Sequence, residues 1–270
     1  MITYRELVIA CRALGLVPGT PVIAHTAFSA FGDEVRGGPE ALVGALLIAS
    51  GGVMAPTFTY KTMVIPETGP ENNASSYGQG QDHNRMAEFF MPELPADRMM
   101  GLLPETLRRL PGARRSAHPI LSFAALGLDE ALDTQTLAAP FAPLRWLMEH
   151  DGVVLLIGVD QRVNTSIHLA ETLAGRKQFL RWALTPEGVM ACPGFSGCSD
   201  GFNQLQPFVE DITRRALVGE AVFQALPLRP MVERVIARLQ EDPRALLCSR
   251  ADCERCEAVR TAPETQENDI

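Results

Sequence analysis

The stretch VVLLIGVDQRVNTSIHLAET, Val153–Thr172, decides the fold. It opens on VVLLIGV, an apolar run without alternation, which is how a strand covered on both faces reads. The pattern then changes period. Asn164 or Thr165 can cap a helix that places His168 in its first turn and Glu171 one turn later on the same face. In an open α/β sheet, the loop after a buried strand is where ligands bind. A helix N-terminus disfavours imidazolium, whereas a neighbouring carboxylate favours it and selects the tautomer, so the pair suits an oriented neutral base. A surface His–Glu pair is the plainer meaning of the same spacing.

Outward from this stretch, strands and helices alternate. Thr3 with Glu6 forms a capping box for a first helix whose apolar positions are Leu7, Ala10, Cys11 and Leu14. The strand TPVIAHTAFS follows, then a helix that begins after Gly37-Gly38 with Pro39 and ends at Gly51-Gly52. VMAPTFTY reads as a strand, RMMGLLPETLRRLPG as a helix, SAHPILSFAALG as a turn into a strand, and FAPLRWLMEHDG as a helix. After the central stretch come the strand QFLRWAL and two segments read as helical, GFNQLQPFVEDITRRAL and PMVERVIARLQED. The pattern predicts an α/β fold with a central mixed or mostly parallel sheet flanked by helices. It forms one domain over residues 1–260, with an irregular insertion at about 61–97 that holds a short helix at NRMAEFF, and a flexible polar tail at 261–270.

Composition narrows the partners. A formal charge of -8 across 270 residues argues against nucleic acid or an acidic membrane surface, both of which reward clustered Lys and Arg. A small cationic substrate suits it better. No run approaches the roughly 20 apolar residues of a membrane span, and the N-terminus has no signal-peptide pattern, so a cytoplasmic location is expected.

Two further constellations carry chemistry. HTAFSAFGDEVRGGPE, His25–Glu40, joins a strand to a helix through small and hydroxylated residues, and its glycines permit close backbone approach to a phosphate. It matches neither the Walker A pattern nor GxGxxG. RRSAHPILSFAALG, Arg114–Gly127, gathers two arginines, two serines and a histidine around one turn, equally suited to anion binding and to an ordinary turn into a strand.

Together HTAFSAFGDEVRGGPEAL, MGLLPETLRRLPGARRSAHPILSFAALG, LMEHDGVVLLIGVDQRVNTSIHLAET and GCSDGF resemble the aminoglycoside 3-N-acetyltransferase family over roughly residues 3 to 240. The resemblance implies acyl transfer from acetyl-CoA, as CoA thioester, to an amine of an aminoglycoside-like or other small acceptor. It implies His168 as general base and Glu171 as the carboxylate that orients it. It implies a CoA site in the residue 25–38 loop, with His25, Thr26, Ser29, Phe31, Gly32, Arg36, Gly37 and Gly38, and in the middle segment, with Ser116, Ser122 and Phe123. The chain departs from the family where a tryptophan-containing acidic stretch is expected after the second strand. Tyr60–Asp97 has no tryptophan, although its acids Glu67, Glu71, Asp82, Glu88, Glu93 and Asp97 suit either a polyamine-like cation or a solvated loop.

Six cysteines without a secretory signal read as reduced thiols. Cys248, Cys253 and Cys256 show C-x4-C-x2-C spacing, and with Cys192 or Cys198 as a fourth ligand they can hold a structural zinc. Cys198 also admits a competing enzymatic reading, a cysteine nucleophile served by His168 in an acyltransferase or amide hydrolase. A CoA-binding protein without aminoglycoside activity is the third class. Asp160, Asn164 and Asp200 are each either site groups or helix caps.

Overall fold

The computed structural model describes residues 1–262, so most of the polar tail lies outside the described residues. Its strands are β1 (Pro21–Thr26), β2 (Gly52–Pro56), β3 (Met63–Val64), β4 (Arg114–Arg115), β5 (Phe123–Leu126), β6 (Val153–Ile157), β7 (Phe179–Thr185), β8 (Gly188–Phe195), β9 (Arg214–Val218) and β10 (Ala221–Pro227). Its α-helices are α1 (Tyr4–Ala13), α2 (Gly38–Ser50), α3 (Gln81–Arg85), α4 (Leu102–Arg109), α5 (Asp129–Asp133), α6 (Ala142–Glu149), α7 (Ser166–Leu173), α8 (Gln206–Val209), α9 (Leu228–Glu241) and α10 (Glu254–Arg260).

The central sheet is mixed, with the order β4-β5-β2-β1-β6-β10-β9. Its middle is parallel: β1 pairs in parallel with both β2 and β6, and the outer pairings are antiparallel. β6 is central and covered on both faces, as its unbroken apolar run demands. Val154 and Leu156 pack with Leu144, Leu147, Ile167, Met231 and Val235 from α6, α7 and α9. Leu155 and Ile157 pack on the other side with Leu7, Leu42, Leu46, Leu103 and Leu107 from α1, α2 and α4.

The helix boundaries follow local chemistry. Thr3 and Glu6 form the capping box of α1. Gly37 caps α2 at φ 83° and Gly51 ends it at φ 91°, left-handed positions that favour glycine.

Several expectations need correction. The segment GFNQLQPFVEDITRRAL is not one helix: short helical turns end at Ile212, and Arg214–Val218 becomes the edge strand β9. Of its residues only Val218 is buried, and its ladder partner β10 lies beyond the turn at Gly219, φ 58°. The short helix of the insertion is Gln81–Arg85, earlier than NRMAEFF. The helix read across RMMGLLPETLRRLPG is interrupted at Gly101, φ 88°, and only Leu102–Arg109 is α-helical. QFLRWAL is a strand, yet it joins a second, antiparallel sheet, β3-β7-β8, whose β8 has no counterpart in the predicted elements. Among the described residues, no helix is long and apolar enough to cross a membrane.

Candidate active site

The C-terminal end of β6 leads through a tight loop into α7. Asp160 accepts from the Arg162 backbone N–H at 3.1 Å and is bound by the Arg162 side chain and by Asn203, so it is a structural cap. Asn164 accepts from the Ser166 N–H at 3.1 Å and donates to Gln161 at 2.9 Å, which fixes the entry into α7. Gly158, φ 64°, lies where a Cβ would come 2.2 Å from the Ala30 side chain, so only glycine lets this loop close against the loop after β1.

α7 carries His168 and Glu171 on its buried face. His168 Nδ1 lies 2.7 Å from Glu171 Oε2, and Arg176 Nη1 donates to Glu171 Oε1 at 2.8 Å. Arg176 is held in turn by the carbonyls of Pro243 and Ala245, both at 2.8 Å. Burial pushes the Glu171 carboxyl up, but the His168 hydrogen bond and the charges of His168 and Arg176 outweigh it and hold the group below the usual carboxylate range. The ring of His168 stacks on Phe141 at 5.9 Å and tilts against Phe202 at 4.9 Å. With Nδ1 engaged and the ring locked between two aromatics, Nε2 is the nitrogen left for chemistry.

His168 borders a cleft of about 700 Å³ walled by Tyr60, Met63, Arg181, Phe195, Asp200 and Arg255 among others. A second cleft of about 690 Å³, bordered by Ala30, Gly158 and Glu220, shares Ser199 and Asp200 with the first. Asp200 therefore stands between the two spaces, and Arg250 Nη1 lies 3.3 Å from it. The insertion forms one wall of the His168 cleft through Met63–Ile65, Ala74–Ser76 and His83. Its six acids Glu67, Glu71, Asp82, Glu88, Glu93 and Asp97 do not line that cleft.

The expected cofactor residues are dispersed. His25 and Thr26 end β1, and the His25 Nε2 and Thr26 Oγ1 atoms are buried without a hydrogen-bond partner among the described residues. Ser29 and Arg36 are exposed on the loop, whose Gly37 and Gly38 have positive φ. Gly32 instead makes room for Glu220, because a Cβ there would lie 2.3 Å from its carboxylate carbon. Phe31 and Phe123 are fully enclosed core rings, Phe31 edge-on to Phe223 and Phe123 to Phe58, which leaves neither a surface for a cofactor. Ser122 is fully buried, donating to the Thr57 carbonyl at 2.9 Å and receiving from Arg115 at 3.0 Å. Ser116 accepts from the Phe123 N–H at 2.9 Å, so the middle segment's hydroxyls are satisfied within the hairpin.

The cysteines converge. The sulfurs of Cys198, Cys248, Cys253 and Cys256 all lie within 4.8 Å of one another, and all four residues are buried. Cys198 is the fourth member; Cys192 sits in the core on β8. Backbone N–H groups of Asp200 and Cys248 point at Cys198 Sγ and Cys256 Sγ, both at 3.4 Å. Arg176, as the second partner of Glu171, was not predicted; it lies beyond the helix end, where spacing along one helix face gives no signal. Arg181 and Arg255 were also missed, because they reach the cleft from β7 and α10.

Known proteins place this architecture. A family model described as aminoglycoside 3-N-acetyltransferase matches residues 23–240. The chain is 37% identical over 185 residues to aminoglycoside N(3)-acetyltransferase VII of Streptomyces paromomycinus, covering 64% of this chain and 61% of that protein. It is 31% identical over 233 residues to aminoglycoside N(3)-acetyltransferase III of Salmonella sp, covering 76% and 79%. The matches to the enzymes from Streptomyces paromomycinus and Micromonospora chalcea span about three-fifths of those relatives' lengths, 61% and 58%. The crystal structure of the apoenzyme of aminoglycoside acetyltransferase AAC(3)-IVa superposes with a TM-score of 0.76 at 26% identity, covering 96% of this chain and 97% of that one. The structure of AAC-IIIb in its binary complex with CoASH superposes with a TM-score of 0.72 at 25% identity, covering 88% and 96%. By its sequence and its fold, the chain belongs to the aminoglycoside 3-N-acetyltransferase family.

Proposed function

We propose that this protein transfers the acetyl group of acetyl-CoA directly to the amine of a small acceptor, with His168 as general base. The observation that carries the reading is the connected set Arg176–Glu171–His168 at the wall of the cleft. An alkylamine is mostly protonated near neutral pH and attacks only once deprotonated, so a positioned base contributes roughly 10²- to 10⁴-fold. Glu171 holds the proton on Nδ1, and Nε2 accepts the proton that the amine loses as its nitrogen bonds to the thioester carbonyl carbon. The carbon–sulfur bond then breaks, and the departing CoA thiolate recovers that proton from the imidazolium. Glu171 stabilises the imidazolium in between, while Arg176 keeps Glu171 ionised. The matching family and the structural neighbour solved with CoASH support acetyl-CoA as donor. The orphaned Thr26 hydroxyl and the exposed Ser29 and Arg36 make the loop after β1 a fitting place for it.

A structural zinc fits the four cysteines. Zinc–sulfur bonds of about 2.3 Å in a tetrahedron bring the sulfurs just under 4 Å apart. All-thiolate ligation leaves no open position, so the metal would pin the C-terminal segment to the loop at Cys198 and take no part in acyl transfer. That arrangement speaks against Cys198 as a nucleophile, because its sulfur is packed among three others.

The test is continuous thiol release from acetyl-CoA across aminoglycosides, polyamines and simple aminosugars. A kcat that requires the acceptor and drops at least tenfold in His168→Ala, while Cys198→Ala retains kcat at saturating acceptor, is the expected result. Loss in Cys198→Ala with retention in His168→Ala would establish the covalent route instead.

A further inference from the structure

Part of the wall that the insertion gives to the His168 cleft is a turn with no regular structure of its own. Asn72–Ser76 lies in neither helix nor strand, and Asn72 and Ala74 have φ of 51° and 46°, a left-handed conformation that a Cβ disfavours. Ala74, Ser75 and Ser76 nevertheless border the cleft. The second sheet holds them there. Asn73 pairs with β7 as a strand residue would: its Oδ1 accepts from the Leu180 N–H and its Nδ2 donates to the Leu180 carbonyl, both at 2.9 Å. The Asn73 and Ala74 carbonyls receive no backbone N–H among the described residues, and a buried carbonyl without a donor is costly. Arg181, the next residue of β7, supplies both. Its Nη1 donates to the Asn73 carbonyl at 2.9 Å and to the Leu180 carbonyl at 2.8 Å, and its Nη2 donates to the Ala74 carbonyl at 3.0 Å. The guanidinium lies 5.3 Å from the Phe179 ring and 5.2 Å from the Phe195 ring, which fixes the fork in place. Arg181 is 7% exposed; burial lowers it to about 10, Arg255 adds to that effect, and Tyr77 and Glu254 oppose it, so the group is charged at neutral pH.

Resting on the acetyl-transfer reading above, we infer that Arg181 is a positioning residue for the acceptor: through the Asn73 and Ala74 carbonyls it fixes the turn against which the acceptor lies in the His168 cleft. A second tie strengthens the same turn, since Asn72 Nδ2 donates to the Ala258 carbonyl of α10 at 3.2 Å. None of the Arg181 hydrogen bonds reaches the Arg176–Glu171–His168 set or the residue 25–38 loop. Its loss should therefore be felt where the acceptor binds, and not at the base or at acetyl-CoA.

The experiment measures thiol release with kanamycin as acceptor in the wild type, Arg181→Met, Arg181→Lys, Asn73→Ala and the double variant Asn73→Ala with Arg181→Met. In Arg181→Met, KM for kanamycin should rise by about 10- to 100-fold, the range of lost charge-assisted contacts, while kcat and KM for acetyl-CoA stay within about threefold. Arg181→Lys, which keeps the charge and some of the donors, should recover part of the loss. Amides of residues 73–77 should exchange faster in Arg181→Met while those of β6 stay protected. Asn73→Ala leaves Arg181 and its ring contacts in place, so it carries the test if Arg181→Met does not fold; it should raise KM for kanamycin in the same way. Because both side chains act on one turn, the double variant should lose less than the product of the two single losses. An unchanged KM for kanamycin in Arg181→Met and Asn73→Ala overturns the inference. So does a loss that falls on kcat or on KM for acetyl-CoA, or a double variant whose loss equals the product. If no thiol is released with any acceptor, the acetyl-transfer reading fails separately, and calorimetry of kanamycin against wild type, Arg181→Met and Asn73→Ala decides the role of the turn. Weaker binding in the variants supports it, and equal or undetectable binding to all three overturns it.

Discussion

At the scale of single residues, three side chains hold one charge arrangement. Glu67, Glu71 and Asp82 in the insertion are exposed, whereas Glu171 is 2% exposed and satisfied on both oxygens, by His168 at 2.7 Å and Arg176 at 2.8 Å. Its folded pKa is depressed, so the stability that it contributes is present above the unfolded carboxylate value and is lost as pH falls through the lower folded value. Glu171→Gln keeps the shape and removes the charge, and it permits the wrong tautomer of His168. Its kcat should fall by about 10²- to 10⁴-fold with little change in KM for acetyl-CoA. A kcat within threefold of wild type would show that His168 needs no carboxylate. Arg176→Met should leave Glu171 half-paired and buried, costing about 3–5 kcal/mol of stability in chemical denaturation.

At the scale of elements, the β6–α7 unit was legible because an unbroken apolar run reads as a buried strand and the cap candidates Asn164 and Thr165 then announce a helix with His168 and Glu171 one turn apart. The second sheet was not. β7 shows clean alternation and reads as a strand, but nothing in FLRWALT says that it pairs with Met63–Val64 rather than with the central sheet. β9 escaped because Arg214 and Arg215 open an exposed edge strand and blur its alternation. The fourth cysteine was undecidable for the same reason, since Cys192 and Cys198 are six positions apart and only the path after β8 separates them. Zinc content settles the outcome at this scale. The purified chain should release one equivalent on titration with a mercurial thiol reagent. Loss of the metal, or Cys253→Ser, should open residues 248–260 to amide exchange while β1 and β6 stay protected. Because Arg250, Asp252, Glu254 and Arg255 stand on that segment, KM for the acceptor should rise with it. A metal-free protein with full protection there would leave the cysteines as packed thiols.

For the whole molecule, two opposite effects of acidification compete. Toward the sequence pI of 5.2 the net negative charge shrinks, which relieves repulsion among surface carboxylates, but those charges are screened within about 10 Å at ordinary salt. Two buried histidines outside the proposed catalytic set act the other way. Burial lowers His25 to about 3, and burial likewise brings His118 down to about 4. Each binds a proton in the unfolded chain below about 6.5 and refuses it in the folded one, so each withdraws stability as pH falls through that window. Between pH 8 and pH 5 the two together remove about 4 kcal/mol, a large share of the 5–15 kcal/mol that folded domains usually possess. The burial effect wins, and stability should fall well above the range where carboxylates titrate. Urea unfolding across this range checks it, with His25→Leu expected to halve the slope of stability against pH. His118→Asn should act similarly, because the amide oxygen can still accept from the Ile120 and Leu121 N–H groups that His118 Nδ1 now serves at 3.2 and 3.0 Å. An unchanged slope in both variants would move acid sensitivity to the Glu171 ion pairs, whose stabilisation disappears only at lower pH.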